Sequence, residues 1–153
     1  MRRLRVYVDT SVFGGCFDAE FTEDSLRVVE AVRKGKLIAL VSGVVLAELE
    51  SAPKSVREVF QGLPGDRLER LELTPEVYEL QRAYLRAGIL APRRADDALH
   101  VAAATVARAD AIVSWNFRHI VRLDKIKGFN QVNFEMGYAH LTIISPKEVL
   151  SDE

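Results

Sequence analysis

Five short runs in this chain are apolar on both faces, and helical spacing fills most of the intervals between them. Strands of that kind cannot face water on either side. They belong in a parallel sheet covered by helices on two sides, because antiparallel strands with one wet face alternate instead. The runs are Leu4 to Val8, Leu37 to Val41, a weaker one carrying Leu68, Leu71 and Leu73, Ala111 to Ser114, and Leu141 to Ile144. The first ends at Asp9-Thr10-Ser11, and Gly14-Gly15 then breaks the chain into a loop.

The spacing predicts a helix over 22–34 carrying Leu26, Val28, Val29 and Val32, with Gly35 as its C-cap. Ser42 offers an N-cap for a helix with Val44, Val45, Leu46, Glu48 and Leu49. Pro53 precedes another short helix over 54–60, and Pro64-Gly65 is a turn. Pro75 opens a helix to about Ala87, and Pro92 precedes an alanine-rich one over 96–107. The stretch from Trp115 to His140 reads as basic at its start, aromatic and irregular, and Pro146 closes the last strand. The pattern predicts a three-layer α/β/α sandwich around a five-stranded parallel sheet, with residues 1–153 as one domain.

Composition removes several classes. With 48% apolar and 28% charged residues, the chain is neither disordered nor fibrous. A single cysteine, Cys16, allows no internal disulfide and no cysteine-based zinc cluster, which suits a reducing compartment. No segment is long and apolar enough for a membrane span, and the basic Met1-Arg2-Arg3-Leu4-Arg5 run meets Asp9 too soon for a signal peptide, so a cytoplasmic location is expected. The 21 Lys and Arg against 22 Asp and Glu leave a net charge of −1, which excludes a uniformly basic nucleic-acid coat but permits a local basic rim.

In open parallel sheets, ligands collect beyond the carboxyl ends of the strands. Asp9 stands at such an end, although an acid there serves as readily as a cap or turn residue. Glu48 borders the apolar face of its helix, where an exposed glutamate is the ordinary case. Asp96 and Asp97 lie in the first turn of the alanine-rich helix, where the dipole favours negative charge. Asp97 shares a face with Val101 and Ala104 and is the more buried of the two, and His100 lies three residues on. If Asp9, Glu48 and Asp97 converge, their mutual repulsion raises pKa values or recruits a counter-ion. Oxygen ligands suit Mg²⁺ or Mn²⁺ better than zinc.

Other chemistries fit poorly. Gly14-Gly15 lacks the G-x-G-x-x-G spacing of a dinucleotide site, no Walker lysine is present, and an aspartyl phosphatase would carry an acid where Ser11 stands.

Four blocks together are similar to the PIN domain, the nuclease fold of the VapC-type toxins. They are Val6-Tyr7-Val8-Asp9-Thr10-Ser11-Val12, Ser42 to Leu49, Ala95 to Ala104, and Ile112-Val113-Ser114-Trp115-Asn116-Phe117. The tail segments Asn116-Phe117-Arg118-His119-Ile120, Phe129-Asn130 and Asn133-Phe134 resemble one prokaryotic subgroup. The resemblance implies a metal-dependent ribonuclease acting on mostly single-stranded RNA, with Asp9, Glu48 and Asp97 as catalytic residues and as ligands of Mg²⁺ or Mn²⁺. Thr10 or Ser11 would orient the first acid, with Ser114, Asn116 and His119 in support. Many relatives carry a fourth acid in the closing loop, where this chain has Asn116 and His119. That departure points to weaker catalysis, or to a PIN-fold binding module that has lost it. Arg93, Arg94, Trp115, Arg118, Arg122 and Lys125 would contact RNA, with Trp115, Phe117 and Phe129 available for stacking. A homodimer and an antitoxin protein partner are further implications of the family.

Overall fold

The computed structural model describes residues 3–149. Met1 and Arg2 of the basic N-terminal run, and 150–153 of the single-domain span, lie outside the described residues. Five strands, β1 (Leu4–Val8), β2 (Leu37–Ser42), β3 (Leu68–Leu71), β4 (Ala111–Val113) and β5 (Thr142–Ile144), form one sheet in the order β3-β2-β1-β4-β5. Every pairing is parallel, so each connection must cross over a face of the sheet.

Among the described residues, seven α-helices make the crossovers, α1 (Thr10–Gly15), α2 (Thr22–Arg33), α3 (Gly43–Glu50), α4 (Lys54–Gln61), α5 (Pro75–Arg86), α6 (Ala95–Val106) and α7 (Leu123–Glu135), and α8 (Pro146–Val149) follows β5. Right-handed crossovers place the helices between β1 and β3 on one face and those between β3 and β5 on the other. The packing agrees, since α1 contacts α2 and α4 while α5 contacts α6 and α7. The chain order reverses between β1 and β4. Asp9 leaves the end of one, Ser114 the end of the other, and Asp9 N donates to Val113 O at 3.1 Å across the switch.

The opposite end of the sheet is tied by Arg5. Its guanidinium donates to Glu69 on β3 and to the carbonyls of Ala107 and Arg108 just past α6, while its backbone N–H donates to Asp110 at 2.7 Å. One residue thereby joins β1 to β3 and to the end of α6 through its side chain, and to the approach to β4 through its backbone, far from the carboxyl edge.

Three expectations need correction. The Gly14-Gly15 pair does not break the chain; both residues lie in α1. Gly15 is there because a larger residue does not fit: a Cβ would stand 2.4 Å from Ser25 Oγ and 2.8 Å from Trp115 Nε1, two atoms hydrogen-bonded to each other. Gly15→Ala is expected to destabilise the fold by about 1–3 kcal/mol in denaturant titrations. Gly14→Ala, whose Cβ would meet nothing within 4 Å, should be neutral or stabilising. Equal effects of the two would contradict the packing.

The stretch from 115 to 140 is not irregular, for α7 occupies thirteen of its residues. Asn130 fixes the chain ahead of β5, accepting from Leu141 N at 2.7 Å and donating to Leu141 O at 3.0 Å. Asn133 is fully buried, accepts from Tyr84 Oη on α5 and donates to Thr105 on α6. Leu26, assigned to the buried face of α2, is exposed; the buried stripe runs through Ser25, Val28, Val29 and Val32.

Candidate metal centre and nucleic-acid cleft

An open cleft of about 540 Å³ lies over the switch point, lined by Asp9, Thr10, Ser11, Asp18, Glu48, Asp97, Trp115 and Asn116, among others. It brings together acids from the end of β1, from α3 and from the first turn of α6. Asp9 occupies the N-cap position of α1, yet its carboxylate makes no capping bond. Oδ2 instead accepts from Ser114 Oγ at 2.6 Å and from Ser11 Oγ at 2.8 Å. Those hydroxyls in turn accept the backbone N–H groups of Asn116 and Trp115. The closing loop is thereby fixed to the first acid, while Asp9 Oδ1 accepts no hydrogen bond among the described residues and lies 3.4 Å from His100 Nε2.

Glu48 has the same asymmetry. Its Oε1 accepts from Thr10 Oγ1 at 2.6 Å and from His100 Nε2 at 2.9 Å, which leaves Oε2 for another ligand. Thr10 therefore orients the second acid, while Ser11 orients the first. Ligand atoms of Asp9, Glu48 and His100 all lie within 4.8 Å of one another. Asp97 does not belong to that group, although it lines the same cleft.

The titration shifts follow from the crowding. Burial raises the pKa of Asp97, the negative charge of Asp9 raises it further, and His100, His119 and a hydrogen bond from Asn116 only partly offset this. Burial works in the same direction on Glu48, but the hydrogen bond and charge of His100, with Thr10, outweigh it and hold that carboxyl below its usual range. Burial disfavours a charge on His100, and Glu48, Asp9 and Asp97 together overcome it, so its pKa is raised. Raised pKa values at both Asp97 and His100 report a negative potential in the cleft, which is the electrostatics of a cation site. Asp9, Glu48 and His100 offer such an ion two carboxylates and an imidazole.

The closing loop differs from expectation. Asn116 Oδ1 accepts from His119 N at 2.9 Å, and its amide hydrogen-bonds Asp97. Where a fourth acid would repel Asp97, this chain supplies a donor. Trp115 is 6% exposed, stacks on Phe21 at 4.2 Å between ring centroids, and donates Nε1 to Ser25. It is a wall of the cleft rather than a face for bases. Phe129 is fully buried, and Phe117, at 46% exposed, is the aromatic that reaches solvent beside Trp115.

Of the expected basic contacts, Arg94, Arg118 and Lys125 surround His119. Burial first and then their charges lower its pKa, against the pull of Asp97. His119 Nε2 and Arg94 Nε are buried without a hydrogen-bond partner. Lys125 Nζ also donates to Ile89 O at 2.7 Å. Arg93 is exposed, and the Arg122 guanidinium is bound to Asp124 through two hydrogen bonds of 2.6 and 2.8 Å. Sequence reasoning missed Asp18, which lines the cleft just after α1, and Tyr7, buried beneath it. The only signal for Asp18 was hidden by the reading of Gly14-Gly15 as a loop. Tyr7 carried none, being one apolar-looking residue within a strand.

Residues 5–118 match the family model of the PIN domain, and the chain belongs to that family. Among solved structures it is similar to VapBC2 from Rickettsia felis bound to a DNA fragment from its promoter, with a TM-score of 0.57 and 16% identity over 93% of this chain and 98% of that one. DNA-bound VapBC from Salmonella typhimurium gives a TM-score of 0.58 and 19% identity over 94% and 98% of the two chains. These likenesses concern the fold, and no curated protein matches the sequence. Tyrosyl-tRNA synthetase from Aeropyrum pernix, at a TM-score of 0.50 and 11% identity over 93% of this chain and 52% of that one, illustrates how little a shared architecture says about chemistry. Among the described residues no helix is long and apolar enough to cross a membrane.

Proposed function

We propose that the cleft is the active site of a divalent-cation-dependent ribonuclease that hydrolyses phosphodiester bonds in single-stranded RNA. The observation that carries this reading is the paired asymmetry of Asp9 and Glu48, each with one oxygen held by donors and the other accepting no hydrogen bond among the described residues, Asp9 Oδ1 lying 3.4 Å from His100 Nε2. Asp9, Glu48 and Asp97 would hold Mg²⁺ or Mn²⁺, which when bound supplies Lewis-acid polarisation of a phosphoryl oxygen. Ser11, Ser114 and Thr10 keep the acids from rotating, so little reorganisation is left for the reaction itself. Arg94, Arg118, Lys125 and His119 form the basic side of the site and would hold the RNA backbone, with Arg93 at its margin. Phe117 offers a base the exposed ring that Trp115 does not.

The test is cleavage of a single-stranded RNA by the purified chain with Mg²⁺, with Mn²⁺ and with EDTA. Cleavage should require the ion and should vanish in Glu48→Gln, which keeps an oxygen for Thr10 but loses the charge. Cleavage that survives EDTA, or is equal in the variant, sinks the reading. Asn116 in the place of an acid favours a second reading, a PIN-fold module that binds RNA without cutting it. RNA retained intact with either ion would establish that one instead.

The likeness to VapBC structures supports an antitoxin protein as partner and a toxin role for this chain. Co-purification of a small protein encoded beside it checks the first, and light scattering checks the homodimer expected of the family.

A further inference from the structure

Beneath the acids the His100–Glu48 contact continues into a buried chain of hydrogen bonds whose inner members, Tyr7 and Ser42, the preceding chemistry does not use. Ser42 Oγ lies 2.7 Å from Tyr7 Oη, Tyr7 Oη lies 2.8 Å from His100 Nδ1, and His100 Nε2 lies 2.9 Å from Glu48 Oε1 and 3.4 Å from Asp9 Oδ1. Ser42 and Tyr7 are fully buried and His100 is 1% exposed, so water cannot complete the pattern. The protons can therefore be placed by counting donors and acceptors. Ser42 Oγ already accepts the N–H of Val44 at 3.3 Å, and its own proton must go to Tyr7. The Tyr7 proton then goes to His100 Nδ1. That leaves the imidazole proton on Nε2, where it meets the Glu48 carboxylate.

By distance alone His100 Nε2 is a third ligand beside Asp9 and Glu48. By proton count it is a donor. To coordinate a cation it would have to lose the Nε2 proton and carry one on Nδ1, and the phenol would have to turn its own proton to Ser42. The Ser42 proton would then have no acceptor among the described residues. We propose that Tyr7, acting through His100, keeps nitrogen out of the cation's coordination and so makes the cleft favour hard ions over zinc. Tyr7 is thus a positioning and selectivity residue. An imidazole ligand is what would tilt such a site toward zinc-like ions, and the proton on its other nitrogen is set by what it bonds there. The inference rests on the cation reading of the cleft.

Two measurements test it. Two-bond ¹⁵N–¹H correlation spectra of the wild-type protein should show a proton on His100 Nε2, and that proton should persist when Zn²⁺ is titrated in. Its absence, or its loss to Zn²⁺, overturns the proposal without any variant. Calorimetric titrations with Zn²⁺ and Mn²⁺ should show the ratio of Zn²⁺ to Mn²⁺ affinity rising about tenfold in Tyr7→Phe. The ratio should return to the parental value in Tyr7→Phe/His100→Gln, whose amide can still donate to Glu48 but offers no ring nitrogen. An unchanged ratio in a folded Tyr7→Phe protein, with Mn²⁺ still bound by wild type, refutes the selectivity and leaves the cation site standing. If wild type binds neither ion, the cation reading fails and the selectivity falls with it. Should Tyr7→Phe not fold, the wild-type spectra decide.

Discussion

Asp9→Asn is expected to lower RNA cleavage by about 10³-fold while leaving the protein folded. Loss of a single preorganised charge-stabilising group at a reacting centre typically costs 10²–10³ in turnover, and this substitution also weakens the cation. The local geometry says how. One oxygen of the new amide can still accept from Ser114 and Ser11, so the closing loop keeps its attachment. The other position becomes an NH₂ group, 3.4 Å from His100 Nε2 in the parent, and a donor now stands where the cation needs an oxygen. Circular dichroism and urea midpoints should match the parent, whereas Mn²⁺ affinity and RNA cleavage should collapse together. Full cleavage by a folded Asp9→Asn protein would remove Asp9 from the reaction.

The second large effect has opposite signs in two assays. Asp97→Asn should stabilise the metal-free protein and abolish its response to metal. In the folded state, burial and the charge of Asp9 place the Asp97 pKa above its ordinary 3.8. The folded chain therefore holds that proton more tightly than the unfolded chain, and stability declines as pH rises from 3.8 through the raised value. The asparagine carries no such loss. At pH 7 without metal, the variant should melt above the parent. The advantage should disappear below pH 3.8, where the aspartate is protonated in both states. With saturating Mn²⁺ the order should reverse, because only the parent gains binding energy. A variant that melts below the metal-free parent at pH 7 would mean that Asp97 is not strained by its neighbours.

Much of this was visible in the residues. The two-sided apolar strands required a parallel sheet, and Pro75, Gly35 and Ser42 mark helix ends that the structure reproduces. What was hidden was hidden for physical reasons. Helix α7 has Gly128 in its middle and asparagines on its inner face, and composition reads those as loop residues. Gly128 is there because a Cβ would stand 2.5 Å from Ile89; Asn133 bonds across to Tyr84 on α5 and Thr105 on α6, and Asn130 bonds to Leu141 ahead of β5 as well as to Ile126 O in its own helix. At the site, residue types announced Asp9, Glu48 and Asp97, but not which oxygen of each was engaged. Tyr7 illustrates the limit. Strand alternation predicts that it is buried, and nothing along the chain says that its hydroxyl meets residues 35 and 93 positions away.

The Arg5 knot holds the sheet at one end, and the crowded carboxylates sit at the other. Cohesion and reactivity thus sit at opposite ends of one sheet, although Arg5 and Asp9 are only four residues apart in the chain. A single codon change at the acidic end can silence such a protein without lowering its abundance, and lineages in which it has fallen quiet would still make it, fold it and present the same outer surface to whatever it binds.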